Sequence, residues 1–310
     1  MNSFRRETLE IFDSIDFQKV TDHPNILIAA RFWENERYEA AKICYRFMRY
    51  IDDLIDDYKA GNKVILPEER TGFKTLVHDW LNRMTITSSE NPDQQILSQT
   101  VLKYKIPFWT MEAFARSMYW DIEQDGFPTL ESFLNYAKGA SVAPASIFVH
   151  LAGLTKLNGI HLEPRFDVKE ASTPCAVFSY LVHIIRDFQK DQLNNLNYFP
   201  DEMILRNGLT REKLKEIAMG QPVNKNFRNL IGELYELADG YREKTWQVIE
   251  KIKPLLEPRY RFSLEVIFHL YLLVFEKIKP DTGYFTSTEL NPTPEETRDR
   301  VLRTIMNFHS

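Results

Sequence analysis

Arg49-Tyr50-Ile51-Asp52-Asp53-Leu54-Ile55-Asp56-Asp57 interleaves acids with large apolar residues at a helical spacing. Positions four apart on a helix share a face, so Asp52 pairs with Asp56, and Asp53 with Asp57 on a face rotated by roughly 100°. Like charges at that spacing weaken an isolated helix by about 0.2–0.5 kcal/mol per pair. A core must therefore hold this helix, through Ile51, Leu54 and Ile55. Acids on such a helix turn at least some carboxylates into a cavity, where they need compensating charge. A second stretch, His183-Ile184-Ile185-Arg186-Asp187-Phe188-Gln189-Lys190-Asp191, repeats the design. Asp187 and Asp191 stand one turn apart, with His183 a turn above them and Ile184, Ile185 and Phe188 between. Alone, either stretch reads as a solvated acidic face. Two, each with an arginine beside its acids, point to a metal–diphosphate site, because Mg2+ binds through one or two carboxylates plus substrate phosphates.

The rest of the chain supplies a helical frame. It has 310 residues, 44% hydrophobic and 13% aromatic, with 11 glycines. Period-two alternation between turn signals hardly occurs, so the expected class is all-α and no strand is expected. No linker or repeat divides residues 1–310, which gives one helical domain. Helices are expected over residues 3–19, from Pro24, over Arg37 to Tyr58, and over 67–84. A polar loop with Ser88 and Ser89 follows, then helices on either side of Pro107. Thr129-Leu130-Glu131-Ser132 opens a helix that runs through Tyr136 into Gly139-Ala140-Ser141-Val142-Ala143-Pro144. Small residues and a proline there predict a kink and a close backbone approach. Residues 155–168 read as a loop, Val168 to Asp191 as the second acidic helix, and 211–219, 227–252, 256–277 and 294–308 as the closing helices.

The net charge of −5 gives no support for nucleic-acid binding. Cys44 and Cys175, in apolar helical surroundings, read as buried thiols of a reducing compartment. The N-terminal residues lack the apolar run of a signal peptide, and Leu264 to Phe275 is too short to span a bilayer. A cytoplasmic protein is expected, with peripheral membrane contact left open; the sequence carries no signal for oligomeric state.

The ordered pair of motifs resembles the squalene/phytoene synthase family, the head-to-head prenyl diphosphate synthases. Members carry D-x-x-x-D after an arginine, here Arg49 and then Asp52 to Asp56. Their second motif, N-x-x-R-D-x-x-x-D, is here His183 to Asp191, followed by Tyr198-Phe199-Pro200. Asp121 and Tyr136 fall where the family has an aspartate and the tyrosine of its small-residue helix break. The resemblance implies one all-α domain with a deep central cavity, in which two prenyl diphosphates (farnesyl or geranylgeranyl) are joined through a cyclopropyl intermediate. It further implies Mg2+ on Asp52, Asp53, Asp56, Asp187 and Asp191, with Asp57 a weaker candidate. The acids Asp52, Asp56, Asp187 and Asp191, with Tyr45 and Tyr198, become the catalytic candidates. Arg49, Arg186, Tyr136, His183 and Lys190 become the substrate contacts. Phe32, Trp33, Tyr45, Phe178 and Tyr180 could line a dry aromatic cavity, or fill an ordinary core. Reductive members use NADPH, for which this sequence offers no support.

Departures from the pattern fall on diphosphate contacts more than on metal ligands. The serine-rich N-terminal stretch is replaced by Asp22-His23-Pro24-Asn25-Ile26-Leu27-Ile28, and Leu196 stands where an arginine is usual. His183 replaces an asparagine, and reads as a metal ligand, a base or a hydrogen-bonded core histidine. Lys190, or Arg298, Arg300 and Arg303, could restore lost positive charge. Besides head-to-head condensation, two further readings follow: a terpene synthase acting on one prenyl diphosphate, and a non-catalytic binding or assembly factor.

Overall fold

The computed structural model of the chain describes residues 3–22, 25–62, 64–86 and 89–309. Its elements follow the start and stop signals closely. The expected helix at 3–19 is two pieces, α1 (Ser3–Asp13) and a 3-10 turn (Phe17–Asp22). Then come α2 (Asn25–Ala30) and the long α3 (Asn35–Asn62), which extends beyond the expected Arg37–Tyr58 at both ends. A helix start at Pro24 lies outside the described residues, as does Ser88 of the polar loop.

Prolines and caps set the next boundaries. In α4 (Pro67–Asn82) proline takes the first position, where a missing N–H costs nothing. Asn91 caps α5 (Pro92–Tyr104), accepting from the N–H groups of Asp93 and Gln94 at 2.9 and 3.2 Å. After Pro107 runs α6 (Phe108–Glu123), and Thr129 caps α7 (Leu130–Ala137) through the Ser132 N–H at 3.1 Å. The expected kink is a π-helical turn, Lys138–Val142, leading into α8 (Ala143–Gly153). There Gly139 meets α6 so closely that an added Cβ would lie 2.1 Å from the Ala113 carbonyl oxygen.

Two expectations need correction. The loop at 155–168 contains a hairpin, β1 (Thr155–Leu157) and β2 (Ile160–Leu162), antiparallel with Leu157 opposite Ile160. Asn158 and Gly159 both adopt positive φ (49° and 83°), as a two-residue hairpin turn requires. The acidic helix also does not run unbroken to Asp191. It is α9 (Val168–Arg186), a break at Asp187 (φ −91°, ψ 2°), then α10 (Phe188–Leu193). The Asp191 N–H still bonds the Asp187 carbonyl at 2.8 Å, so the two acids keep their one-turn spacing.

The remainder is α11 (Asp201–Arg206), α12 (Arg211–Ala218), α13 (Lys225–Ile252), α14 (Pro258–Lys277), α15 (Ser287–Leu290) and α16 (Pro294–Asn307). Two buried clusters result. One joins α1 to α6 with α8, α16 and the first half of α14; the other joins α7 and α9 to α13 with the second half of α14. Tyr271 of α14 packs against both. Among the described residues no helix is long and apolar enough to cross a membrane.

Candidate active site

Between the clusters opens a cavity of about 1110 Å3. From α3 come Tyr45, Arg49, Asp52 and Asp56, together with the more exposed Asp53 and Asp57. From α9, the break and α10 come His183, Arg186, Asp187, Lys190 and Asp191. Tyr136 at the end of α7 and Tyr198 before α11 complete the set. The metal, catalytic and diphosphate candidates of the two acidic motifs thus border one space with Tyr45, Tyr136 and Tyr198. The remaining wall is largely apolar and includes the buried side chains of Leu27, Met48, Phe114, Ile147, Leu264 and Ile267. Of the aromatic candidates, Tyr45 and Tyr180 border the cavity, whereas Phe32, Trp33 and Phe178 are packed in the core.

The two acidic stretches differ in how their charge is met. Arg49 hydrogen-bonds both Asp52 and Asp53 and stays 42% exposed. Arg186 takes Asp187 with two parallel bonds, Nε to Oδ1 at 2.7 Å and Nη2 to Oδ2 at 2.8 Å. His183 Nε2 adds a contact to Asp187 Oδ2 at 2.6 Å. Burial lowers the His183 pKa, with Arg186 acting the same way and Asp187 opposing, so at neutral pH the ring is a neutral donor to Asp187. Burial would raise Asp187, but its bonds from Arg186 and His183 outweigh that and hold the carboxyl well below the usual range. Asp56 and Asp191 lack such partners. Burial, aided by Asp52 and Asp121, pushes Asp56 up to about 8. Burial and then Asp187 push Asp191 up to about 7. Asp52 is also raised by burial, against the pull of Arg49.

These shifts have a sign that melting can read. An acid whose pKa is raised on folding binds more protons folded than unfolded, so stability falls as pH climbs towards its folded pKa. Asp187 contributes oppositely, but its stabilisation is lost only as pH falls below the ordinary carboxylate range. The four histidines lowered by burial, His150, His161, His183 and His269, titrate below neutrality. In chelator, the melting temperature is therefore expected to fall from about pH 7 to about pH 8.5. Asp56→Asn should flatten that slope, and an unchanged slope would contradict the assignment.

The donor set suits a hard divalent cation of the Mg2+ kind. Among the described residues no group of three or more His, Cys, Asp or Glu side chains is placed to hold a metal ion by itself. Mg2+ asks for less, one or two carboxylates completed by water and phosphate oxygens. Among the described residues that line the cavity, six carboxylates face three cationic side chains, Arg49, Arg186 and Lys190, so Asp52, Asp56 and Asp191 fit that demand.

Other parts of the wall were less legible. Tyr136 donates its hydroxyl to Asp121 Oδ2 at 2.7 Å, and Asp121 stands behind the wall rather than on it. Tyr180 stacks on Phe133 at 5.4 Å and lies 6.3 Å, ring to ring, from both Tyr136 and Tyr198. Cys175 was expected to be buried; it is partly exposed to the cavity, while Cys44 is buried, and burial pushes both thiols up to about 12. Leu196 borders the cavity, as does Lys190. Arg298 lies over the Phe12 ring at 5.0 Å, Arg300 pairs with Glu276, and Arg303 is exposed; none of the three is among the described residues that line the cavity.

No curated protein matches the chain by sequence. Among solved structures it is similar to a dehydrosqualene synthase determined in complex with ligand, with a TM-score of 0.69 and 14% identity over 98% of each chain. It is similar to the squalene synthase HpnC from Alicyclobacillus acidocaldarius, with a TM-score of 0.63 and 14% identity over 85% of this chain and 90% of that one. YisP from Bacillus subtilis subsp. subtilis strain 168 gives a TM-score of 0.62 and 15% identity over 97% and 99%. At such identities these likenesses establish the fold. The family model for squalene/phytoene synthase matches residues 22–294, most of the chain. With both acidic motifs in order on that fold, the chain belongs to the squalene/phytoene synthase family.

Proposed function

We propose that the protein is a Mg2+-dependent prenyltransferase that joins two prenyl diphosphates head-to-head. One observation carries the reading: both acidic stretches border a single cavity whose remaining wall is largely apolar. At about 1110 Å3 it exceeds the roughly 300–1,000 Å3 of ordinary small-molecule pockets, which suits two long hydrocarbon tails. Asp52, Asp56 and Asp191, with Asp53 and Asp187, are the residues that would hold the metal. Bound Mg2+ supplies charge neutralisation on the leaving diphosphate oxygens.

The chain's own groups do the rest. Arg49 and Arg186 are placed to turn from their carboxylates to the diphosphate, whose geometry suits a guanidinium fork. The C1–O bond of one substrate breaks, the diphosphate leaves with the electron pair, and an allylic cation remains. The double bond of the second substrate attacks it, and loss of a proton closes the cyclopropane. Leu27, Phe114 and Ile147 keep water from the cation. Tyr45, Tyr180 and Tyr198 border the same space and are the aromatic groups nearest to hand for the cation.

A second reading is favoured by two observations: Asp187 is already engaged by Arg186 and His183, and Leu196 offers no charge at the wall. With one diphosphate position weakened, a single substrate would be ionised and cyclised or quenched by water. Incubation with farnesyl or geranylgeranyl diphosphate and Mg2+, with and without NADPH, separates the two. A C30 or C40 product supports condensation, and a C15 or C20 product the single-substrate reaction. No turnover by folded protein would leave a binding or assembly role.

Binding can be tested before turnover. Mg2+ with pyrophosphate is expected to raise the melting temperature, by about 2.7 kcal/mol of stability at a hundredfold excess over Kd. Neither alone should match that shift, since pyrophosphate alone meets unneutralised acids and Mg2+ alone lacks the phosphate oxygens that complete its shell. Equal shifts from pyrophosphate alone would place the anion outside the acidic site.

A further inference from the structure

Lys59 lies two turns beyond Asp52 on α3, and its side chain is only 8% exposed. A buried ammonium needs a partner. Its Nζ stands 3.9 Å from Asp121 Oδ1 and donates to the Gln124 carbonyl at 3.3 Å. The other oxygen of Asp121 accepts the Tyr136 hydroxyl at 2.7 Å. Tyr136 borders the cavity, whereas Lys59 and Asp121 are not among the described residues that line it. Three residues from three helices thus form a line that begins in the core and ends at the reaction space.

We propose that Lys59 is a positioning residue for Tyr136, acting through Asp121. By supplying the counter-charge that keeps Asp121 an acceptor, it commits the Tyr136 proton to the core side. The phenolic oxygen then offers its lone pairs to the cavity. This deepens, and rests on, the prenyl-diphosphate reading above. A lone pair turned towards an allylic cation stabilises it; a hydroxyl proton turned the same way repels it.

Burial pushes Asp121 up to about 7 even against the pull of Lys59 and the Tyr136 bond, so that pull is what leaves it an acceptor above neutrality, and the neighbourhood explains why it is needed. Asp52 and Asp56 of α3 bear on the same region, and Tyr180 and Tyr198 approach from α9 and from the α10–α11 connection. Without Lys59 a third buried carboxylate would share this space uncompensated. Protonation would then be its escape, and a carboxylic acid donating to Tyr136 would turn the phenol's proton into the cavity. The backbone of Tyr136 is fixed independently, since Ser117 Oγ donates to its carbonyl at 2.8 Å. Loss of Lys59 should therefore reorient the hydroxyl rather than displace the ring.

The test is a double-mutant cycle on kcat and KM with a prenyl diphosphate and Mg2+. Lys59→Met is expected to lower kcat tenfold or more while KM, set by the diphosphate, changes less than about threefold. Tyr136→Phe should lose a similar factor, and adding Lys59→Met to it should cost less than about twofold more. Should Lys59→Met not stay folded at assay temperature, Tyr136→Phe decides alone, because it removes one hydroxyl and leaves the Lys59–Asp121 pair intact. Wild-type kcat in Lys59→Met or in Tyr136→Phe overturns the inference and leaves the condensation reading standing, as do losses that multiply in the double variant. Failure of the wild-type protein to turn over either prenyl diphosphate overturns both.

Discussion

Replacing Asp52 and Asp187 together by alanine is expected to lower kcat/KM by about a thousandfold or more. Each substitution removes the leading acid of one motif, and on the proposed function charge neutralisation at the diphosphate would be lost from both sides of the cavity. The single variants should part company in stability. Asp52→Ala takes away a carboxylate that raises Asp56 and leaves Arg49, which is 42% exposed, to Asp53 and water. Its melting temperature in chelator should hold or rise. Asp187→Ala strips Arg186, whose side chain is 18% exposed, of its bidentate acceptor and His183 of its partner. Leaving a largely buried cation unpaired is destabilising, so that variant should melt lower. Turnover within tenfold of wild type in Asp52→Ala would remove the first motif from the mechanism. Such an outcome matters because buried like charges that weaken the fold make sense where function demands them.

The second large effect is expected at Gly139→Ala. A methyl there would sit 2.1 Å from the Ala113 carbonyl oxygen and 2.1 Å from Ser117 Oγ. The serine could rotate, but it would then release the Tyr136 carbonyl it bonds at 2.8 Å. The Ala113 oxygen belongs to the backbone of α6 and cannot give way without moving the helix. Overpacking of this kind costs about 1–3 kcal/mol and more when backbone must shift. The variant should melt several degrees lower and also lose activity, because Tyr136 lies three residues away. Gly232→Ala is the control. It lies inside α13 with open space around it, and alanine there should stabilise by up to about 1 kcal/mol. If Gly139→Ala melts like wild type, the close approach of the π turn to α6 is wrong.

Much of this arrangement could be read from residue order, because helix faces and caps are local matters. The four-residue spacing of Asp52 with Asp56, and of Asp187 with Asp191, put each pair on one wall of the cavity. Gly139-Ala140-Ser141 announced a close approach, though not that a π turn would make it. The hairpin carried its own signal, Asn158-Gly159 between Leu157 and Ile160, masked by the Gly, Pro and charge around it. The break at Asp187 gave no such warning, since it lies within an apolar helical pattern and at a residue gripped by His183 and Arg186. Lys59 was the least legible. Next to Tyr58 and near the end of a helix, it has the look of a solvated charge. Only the packing of α3 against α6 buries it beside Asp121.

The cavity is also missing volume. Side chains such as Leu27, Ile147 and Leu264 border open space where a filled core would have placed other side chains. At that apolar end water finds few polar partners, and unfolding eliminates the poorly filled space, so the unfolded chain and its water occupy less volume than the folded state. Hydrostatic pressure should therefore denature this protein more readily than a helical protein of equal length with a filled interior. A bound hydrocarbon tail should raise the pressure midpoint by occupying that space. Pyrophosphate with Mg2+, held at the acids alone, should protect against heat and do little against compression.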